Sequence, residues 1–260
     1  MSGRTIPLWE DRIPYNDLTE NGFIPSVREY LSDSKESAVL VCPGGAYIRK
    51  AEHEGKTVAE TLNDARFTAF VLDYRVSPCD DRAPLNDVLR AIRLLRSMNF
   101  GKIAVMGFSA GGHAACGAAT LYREAFLDRD DPVDFFSSRP DALISCYSVV
   151  SMTDHEHIGS VKNLLGEEWL NWQKRSHYSA ELQVDGNTPP AFIWHTTGDG
   201  SVPVENSINL AKALAAKNVP FELHVFPGGR HGMGLAKDDP VIGSWVPLCL
   251  KWLETLGFQK

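Results

Sequence analysis

The sequence predicts an α/β fold in one domain, with a mostly parallel central sheet and helices on both faces. Three observations carry that reading. Short runs rich in β-branched and aromatic residues alternate with stretches of helical period from about residue 38 onward, which is the signature of βαβ units on a parallel sheet. A length of 260 residues suits a single large α/β domain, 1–260, that can bury a substantial core. No apolar run approaches the roughly 18 residues a membrane span needs, so no membrane partner is expected.

Residues 1–30 show no regular period and are expected to form an irregular N-terminal segment. Strands then fit at 38–42, 68–73, 102–108, 142–148, 191–196 and 221–226, each bounded by turn residues. Helices fit between and after them at 55–64, 85–98, 110–123, 204–217 and about 240–256. Two stretches fit neither pattern: 124–141, acidic with Asp131-Pro132 and Arg139-Pro140 steps, and 151–190. Long connections without regular structure are usually functional or disordered, so both are expected to be short cap segments on the active-site side.

Charge and cysteine usage narrow the function further. The net charge of −7 comes with no basic run that could track a phosphate backbone, so nucleic acid is not an expected partner. Five scattered cysteines (Cys42, Cys79, Cys116, Cys146, Cys249) form no close pairs and no zinc pattern, and an odd number leaves a thiol free. The opening MSGRTIPLWEDRIPYND lacks the basic-then-apolar pattern of a secretory signal. Both features point to a reducing, cytoplasmic setting.

The chemistry is concentrated in three places. Gly107-Phe108-Ser109-Ala110-Gly111 stands between a predicted strand and a predicted helix, the context in which Gly-x-Ser-x-Gly forms a nucleophile elbow. A serine needs a base, and on this fold the chain order is serine, acid, histidine. His224 lies inside a strand, whereas His231 lies in the glycine-rich Pro227-Gly-Gly-Arg-His-Gly-Met-Gly234, just past the last predicted strand, where it can be aimed at Ser109. Asp199, in the loop after the strand at 191–196, is the expected acid, with Asp154 as its competitor. Oxyanion donors are expected from the N–H of Ala110 and from the loop Cys42-Pro-Gly44-Gly45-Ala-Tyr47. His113 and His195 read as packed core histidines, and Asp154-His155-Glu156-His157 as a solvated loop rather than a metal site, so no metal or cofactor is implied.

The segments PGGAY (43–47), Glu54-Gly55, DYRVSP (73–78), GFSAGGHAA (107–115), SRPD (138–141), TPPAFIWHTTGDGSVPVENS (188–207) and FPGGRHGMGL (226–235) together resemble the acetyl-esterase family of α/β-hydrolases. The resemblance runs from about Pro7 to Leu235. It implies that Ser109, Asp199 and His231 match the family's triad, and that Gly44, Gly45 and Ala110 match its oxyanion hole. Where the family usually carries a third glycine, this chain has Ala46. The resemblance further implies short acyl esters of carbohydrates as substrates.

A small-molecule ester, of the acetylated xylo-oligosaccharide class, is therefore the expected partner. Tyr47 is a candidate substrate contact, and so are Trp169 and Trp172, whose spacing would put both rings on one face of a helix. A general short-chain carboxylesterase or lipase-like enzyme is the alternative reading, and a non-catalytic ligand-binding protein on the same scaffold is the second.

Overall fold

The chain enters the sheet as two antiparallel strands, β1 (Thr5–Pro7) and β2 (Ser26–Tyr30), so the first 30 residues are not an irregular segment. They escape sequence reading because β1 has three residues and ends in proline, while β2, SVREY, mixes charge with apolar side chains, as strands near a sheet edge do. The computed structural model describes residues 3–10, 12–19, 22–33 and 36–258. The remaining strands are β3 (Ser37–Cys42), β4 (Ala69–Asp73), β5 (Lys102–Phe108), β6 (Ala142–Cys146), β7 (Ala191–Thr196) and β8 (Phe221–Phe226). Their spatial order is β1-β2-β4-β3-β5-β6-β7-β8, antiparallel as far as β4 and parallel from there on.

Helices α1 (Glu52–Asp64), α2 (Ala83–Ser97), α3 (Ser109–Thr120), α4 (Ile158–Leu165), α5 (Trp172–His177), α6 (Glu205–Ala216) and α7 (Trp245–Thr255) complete the fold. The central strands are apolar at nearly every position because helices cover both faces. Alternate residues divide between two cores, as the two-residue period of a strand requires. Val41, Met106, Ile144 and Trp194 pack with Val58 and Leu62 of α1 and Trp245 and Leu253 of α7. Leu40, Val105, Leu143 and Ile193 face the other way, toward α2, α3 and α6.

The expected cap segments have different fates. Residues 151–190 hold α4, α5 and two single 3-10 turns, Gly166–Glu168 and Ala180–Leu182. A new helix starts at Trp172 because the Asn171 side chain accepts hydrogen bonds from the N–H groups of Gln173 and Lys174. Residues 124–141 do not sit on the active-site side, because α3 has already returned the chain to the amino ends of the strands. There Arg90 binds Asp131 (2.5 Å) and Asp134 (2.8 Å), Arg93 binds Asp134 (3.1 Å), and Arg96 binds Asp141 (2.9 Å). Asp141 also accepts from the N–H of Ile103 at the start of β5 (2.8 Å). Among the described residues no helix is long and apolar enough to cross a membrane, and no group of three or more histidine, cysteine or acidic side chains is placed to hold a metal.

One buried ion pair fixes the N-terminal segment. Arg75, at 0% exposure, donates to Asp87 of α2 (2.5 Å) and to the carbonyls of Pro14 (2.5 Å) and Tyr15 (3.1 Å). Removing one member of such a pair strands the other charge in the interior and costs about 3–5 kcal/mol. Asp87→Ala is therefore expected to lower unfolding stability by about that amount, read from the urea midpoint. A loss below about 1 kcal/mol would mean the pair is no more than a surface bridge.

Candidate active site

The turn from β5 into α3 is built for close approach. A Cβ on Gly107 would lie 2.3 Å from the Gly111 carbonyl oxygen, and one on Gly111 would lie 2.2 Å from that of Cys42. Only glycine allows the first turn of α3 to seat this tightly between the strand ends. Between them Ser109 takes φ +52°, a left-handed conformation that costs a residue with a side chain of order 1–3 kcal/mol. The packing imposes it, and the hydroxyl is turned toward the carboxyl ends of the strands.

The loops after β7 and β8 bring two further expected residues to that hydroxyl. Ser109 Oγ lies 2.8 Å from His231 Nε2, and His231 Nδ1 lies 2.7 Å from Asp199 Oδ2. The carboxylate can only accept, so Nδ1 carries the proton and Nε2 is left with its lone pair toward the serine hydroxyl. Asp199 Oδ1 accepts from the N–H groups of Ser201 and Val202, both at 2.9 Å. His195, buried beneath, donates from Nε2 to the Val202 carbonyl at 3.0 Å, with Asp199 Oδ2 at 3.3 Å, while its Nδ1 accepts from the Ser207 hydroxyl. Burial pushes the Asp199 carboxyl up, but hydrogen bonds from His195, His231 and the two backbone N–H groups outweigh it and hold the group well below the usual carboxylate range. Asp154, the competing acid, is exposed on a different loop beside His155 and Asn209.

The expected oxyanion donors are only partly free. The Gly44 N–H points away from Ser109 into the buried Glu54 carboxylate, at 2.8 Å from Oε2, so Gly44 is corrected from donor to structural glycine. A Cβ there would lie 2.9 Å from that of Ser109, which is why the position must be bare. The N–H groups of Gly45, Ala46 and Ala110 have no partner among the described residues. Ala46 and Tyr47 both have positive φ, +55° and +61°, so this loop, like the elbow, stores backbone strain.

Tyr47 is not a surface contact for substrate: it is 1% exposed. Its hydroxyl donates to His113 Nδ1 at 2.6 Å, and His113 Nε2–H donates to the Tyr178 carbonyl at 2.8 Å. This chain of bonds ties the strained loop to α3 and to the segment after α5. The Asn163 amide adds a bond to the Ala46 carbonyl (2.7 Å) from α4. Trp169 and Trp172 do not share a helix face, because the cap at Asn171 separates them. Trp169 is half-buried with the Lys162 ammonium 4.4 Å from its ring centroid, whereas Trp172 is 63% exposed.

Comparison with known proteins agrees with this architecture. The BD-FAE family model matches residues 29–214. The chain belongs to the BD-FAE family. It is 37% identical over 244 residues to endo-1,4-beta-xylanase B of Butyrivibrio fibrisolvens, covering 89% of this chain and 38% of that protein. It is 31% identical over 252 residues to the acetylxylan esterase of Xylanibacter ruminicola, covering 93% of this chain and 48% of the relative. The chain thus spans less than half the length of either curated relative. The crystal structure of an acetyl ester-xyloside bifunctional hydrolase from Caldicellulosiruptor lactoaceticus superposes with a TM-score of 0.89 at 44% identity, covering 100% of this chain and 98% of the other. The fold of this chain is the α/β-hydrolase fold, a mostly parallel eight-stranded sheet with helices on both faces.

Sequence reasoning overlooked several groups in this BD-FAE site. Glu54, in the first turn of α1, entered the sequence reading only as part of the Glu54-Gly55 resemblance, and Tyr147, just past β6 with φ +37°, not at all; both are buried beside the His231 loop. His157 caps α4, its Nδ1 accepting from the Ser160 N–H at 3.2 Å. Burial and the nearby His231 charge push His157 down, and Asp199 opposes them. His113 is pushed down to about 4 by burial. The unfolded chain binds a proton near pH 6.5 that folded His113 refuses, so stability is lost as pH falls from about 6.5 toward about 4. His113→Gln should therefore flatten the fall of the urea midpoint over that window relative to the parent. Identical pH slopes in the two proteins would overturn the assignment of a buried neutral histidine.

Proposed function

We propose that this domain is a serine esterase that removes acetyl groups from carbohydrates of the xylo-oligosaccharide class. The observation that carries the proposal is the continuous path from Ser109 through His231 to Asp199, with one defined tautomer along it. In this reading Ser109 Oγ attacks the ester carbonyl as His231 Nε2 takes its proton. The negative charge on the carbonyl oxygen is met by the free N–H groups of Ala110 and Gly45, with Ala46 beside them. His231 then protonates the departing alcohol, which leaves an acetyl-Ser109. Water activated by the same histidine releases acetate and restores the enzyme. Asp199 holds the tautomer and stabilises the imidazolium, and no cofactor enters the cycle.

The carbohydrate part of the proposal draws on the named activities of the relatives. Of the two expected aromatic contacts, Trp172 is the more exposed and the better placed for stacking on a sugar, with the Arg175 guanidinium 6.0 Å from its ring centroid, whereas Trp169 is half-buried. The five free thiols suit a reducing cytoplasm. A general short-chain carboxylesterase would use the same machinery without the sugar preference.

Ser109→Ala is expected to abolish turnover with little change in melting temperature, and activity within tenfold of the parent would remove Ser109 from the mechanism. Asp199→Asn should cost close to 10⁴ in kcat through the wrong tautomer, whereas Asp154→Asn should cost little. For substrate class, kcat/KM on acetylated xylo-oligosaccharide, aryl acetate and aryl octanoate is to be compared in the parent, Trp172→Ala and Trp169→Ala. Faster cleavage of octanoate than of acetate, or no selective loss on the sugar ester in Trp172→Ala, would leave the general carboxylesterase reading in its place.

A further inference from the structure

We infer that Glu54 is a positioning residue for the proposed esterase: a buried carboxylate that holds the Gly44–Tyr47 loop and the His231 loop at a fixed separation. The inference rests on the esterase reading and concerns a residue that touches neither the ester nor the triad.

Glu54 lies in the first turn of α1 and is 3% exposed. Its two oxygens are used on opposite sides. Oε2 accepts from the N–H of Gly44 at 2.8 Å, and Oε1 accepts from the Tyr147 hydroxyl at 2.6 Å. The Tyr147 oxygen in turn accepts from the N–H of Gly234 at 2.9 Å, three residues beyond His231. Neighbouring His53 reaches the same loop, its Nε2 donating to the Gly232 carbonyl at 3.0 Å. Tyr147 also sets its ring edge-on to the His231 imidazole, at 5.2 Å between centroids and 71° between planes. One carboxylate therefore spans the exits of β3, β6 and β8.

The residue type follows from the bonding. Both neighbours donate, so both Glu54 oxygens must accept, and only a carboxylate offers two acceptors and no donor. A glutamine would turn its NH₂ toward either the Gly44 N–H or the Tyr147 O–H, which would lose its acceptor. Burial and the Glu54 charge push the Tyr147 phenol well up, which keeps its proton available for the bond. Among the described residues the only basic side chain within 4.0 Å of the Glu54 carboxylate is His53, with Nε2 3.7 Å from Oε1 and half its side chain in solvent. A carboxylate buried with hydrogen bonds in place of an ion-pair partner is costly to desolvate. Its return here is geometric: it pulls Gly44 into the bend that leaves the next N–H groups free, and it sets where the histidine loop stops.

The test measures kcat and KM on aryl acetate for Glu54→Gln, Tyr147→Phe and the double variant, each with its melting temperature, beside Ser109→Ala. Both single variants are expected to lower kcat roughly 10- to 100-fold with KM within about threefold, because alignment is lost while binding is retained. The double variant should be no slower than the worse single one, since both act on one path. If Ser109→Ala is inactive but the single variants keep kcat within twofold, Glu54 does not position the site and the esterase reading stands. If Ser109→Ala stays active, it is the esterase reading that fails. A loss that simply follows a reduced folded fraction in both single variants would make Glu54 a stability residue and overturn the inference. Tyr147→Phe removes one oxygen only, so it keeps the comparison open if Glu54→Gln folds poorly.

Discussion

The first turn of α3 sits so close to β3 and to the β6 exit that no side chain fits at Gly107, Gly111 or Gly112, and the rest of the site takes its position from that contact. The contact forces Ser109 into the left-handed region and aims its hydroxyl over the carboxyl ends of the strands. It also presses α3 against the chain leaving β3, where a Cβ on Gly111 would lie 2.2 Å from the Cys42 carbonyl oxygen and 2.3 Å from that of Pro43. Strain of a few kcal/mol in two adjoining turns is tolerable because two extensive cores, one on each face of the sheet, hold the strands that carry them.

Two buried carboxylates complete the arrangement, and they work by saturation. Asp199 accepts from two backbone N–H groups and faces two histidines, while Glu54 accepts from one backbone N–H and one phenol. Neither has an oxygen left over. A saturated carboxylate is a rigid one, and rigidity in the groups behind the reacting atoms is what keeps a site within the tolerance that chemistry demands.

Much of this was legible in the sequence. The six parallel strands from β3 to β8 announce themselves as apolar runs, and Ser109, Asp199 and His231 follow from a motif in context plus a fixed chain order. What escaped had weak local signals. β2 carries Arg28 and Glu29 in a strand of five, and the helix at α5 depends on a single cap at Asn171. Gly44 read as an oxyanion donor because nothing in the sequence says that Glu54, ten residues on and just ahead of the predicted helix, turns inward to take its N–H. Tyr47 looked like a substrate contact for the same reason: the acceptor that draws its hydroxyl inward is His113, 66 residues away. The tryptophan pair failed differently, since a spacing of three means one face only if a single helix contains both residues.

The order in which the strands are joined has a consequence for synthesis. Ser109 and His231 are 122 residues apart, and the base follows the last strand of the sheet. Chains fold from the N-terminus as they emerge, so a nascent polypeptide can present the elbow and the Gly44 loop long before it owns a base. In the proposed esterase the strained serine has no histidine to take its proton until β8 has docked beside β7. On that proposal reactivity is withheld from every partial chain, and its onset reports closure of the entire sheet rather than the folding of any one part.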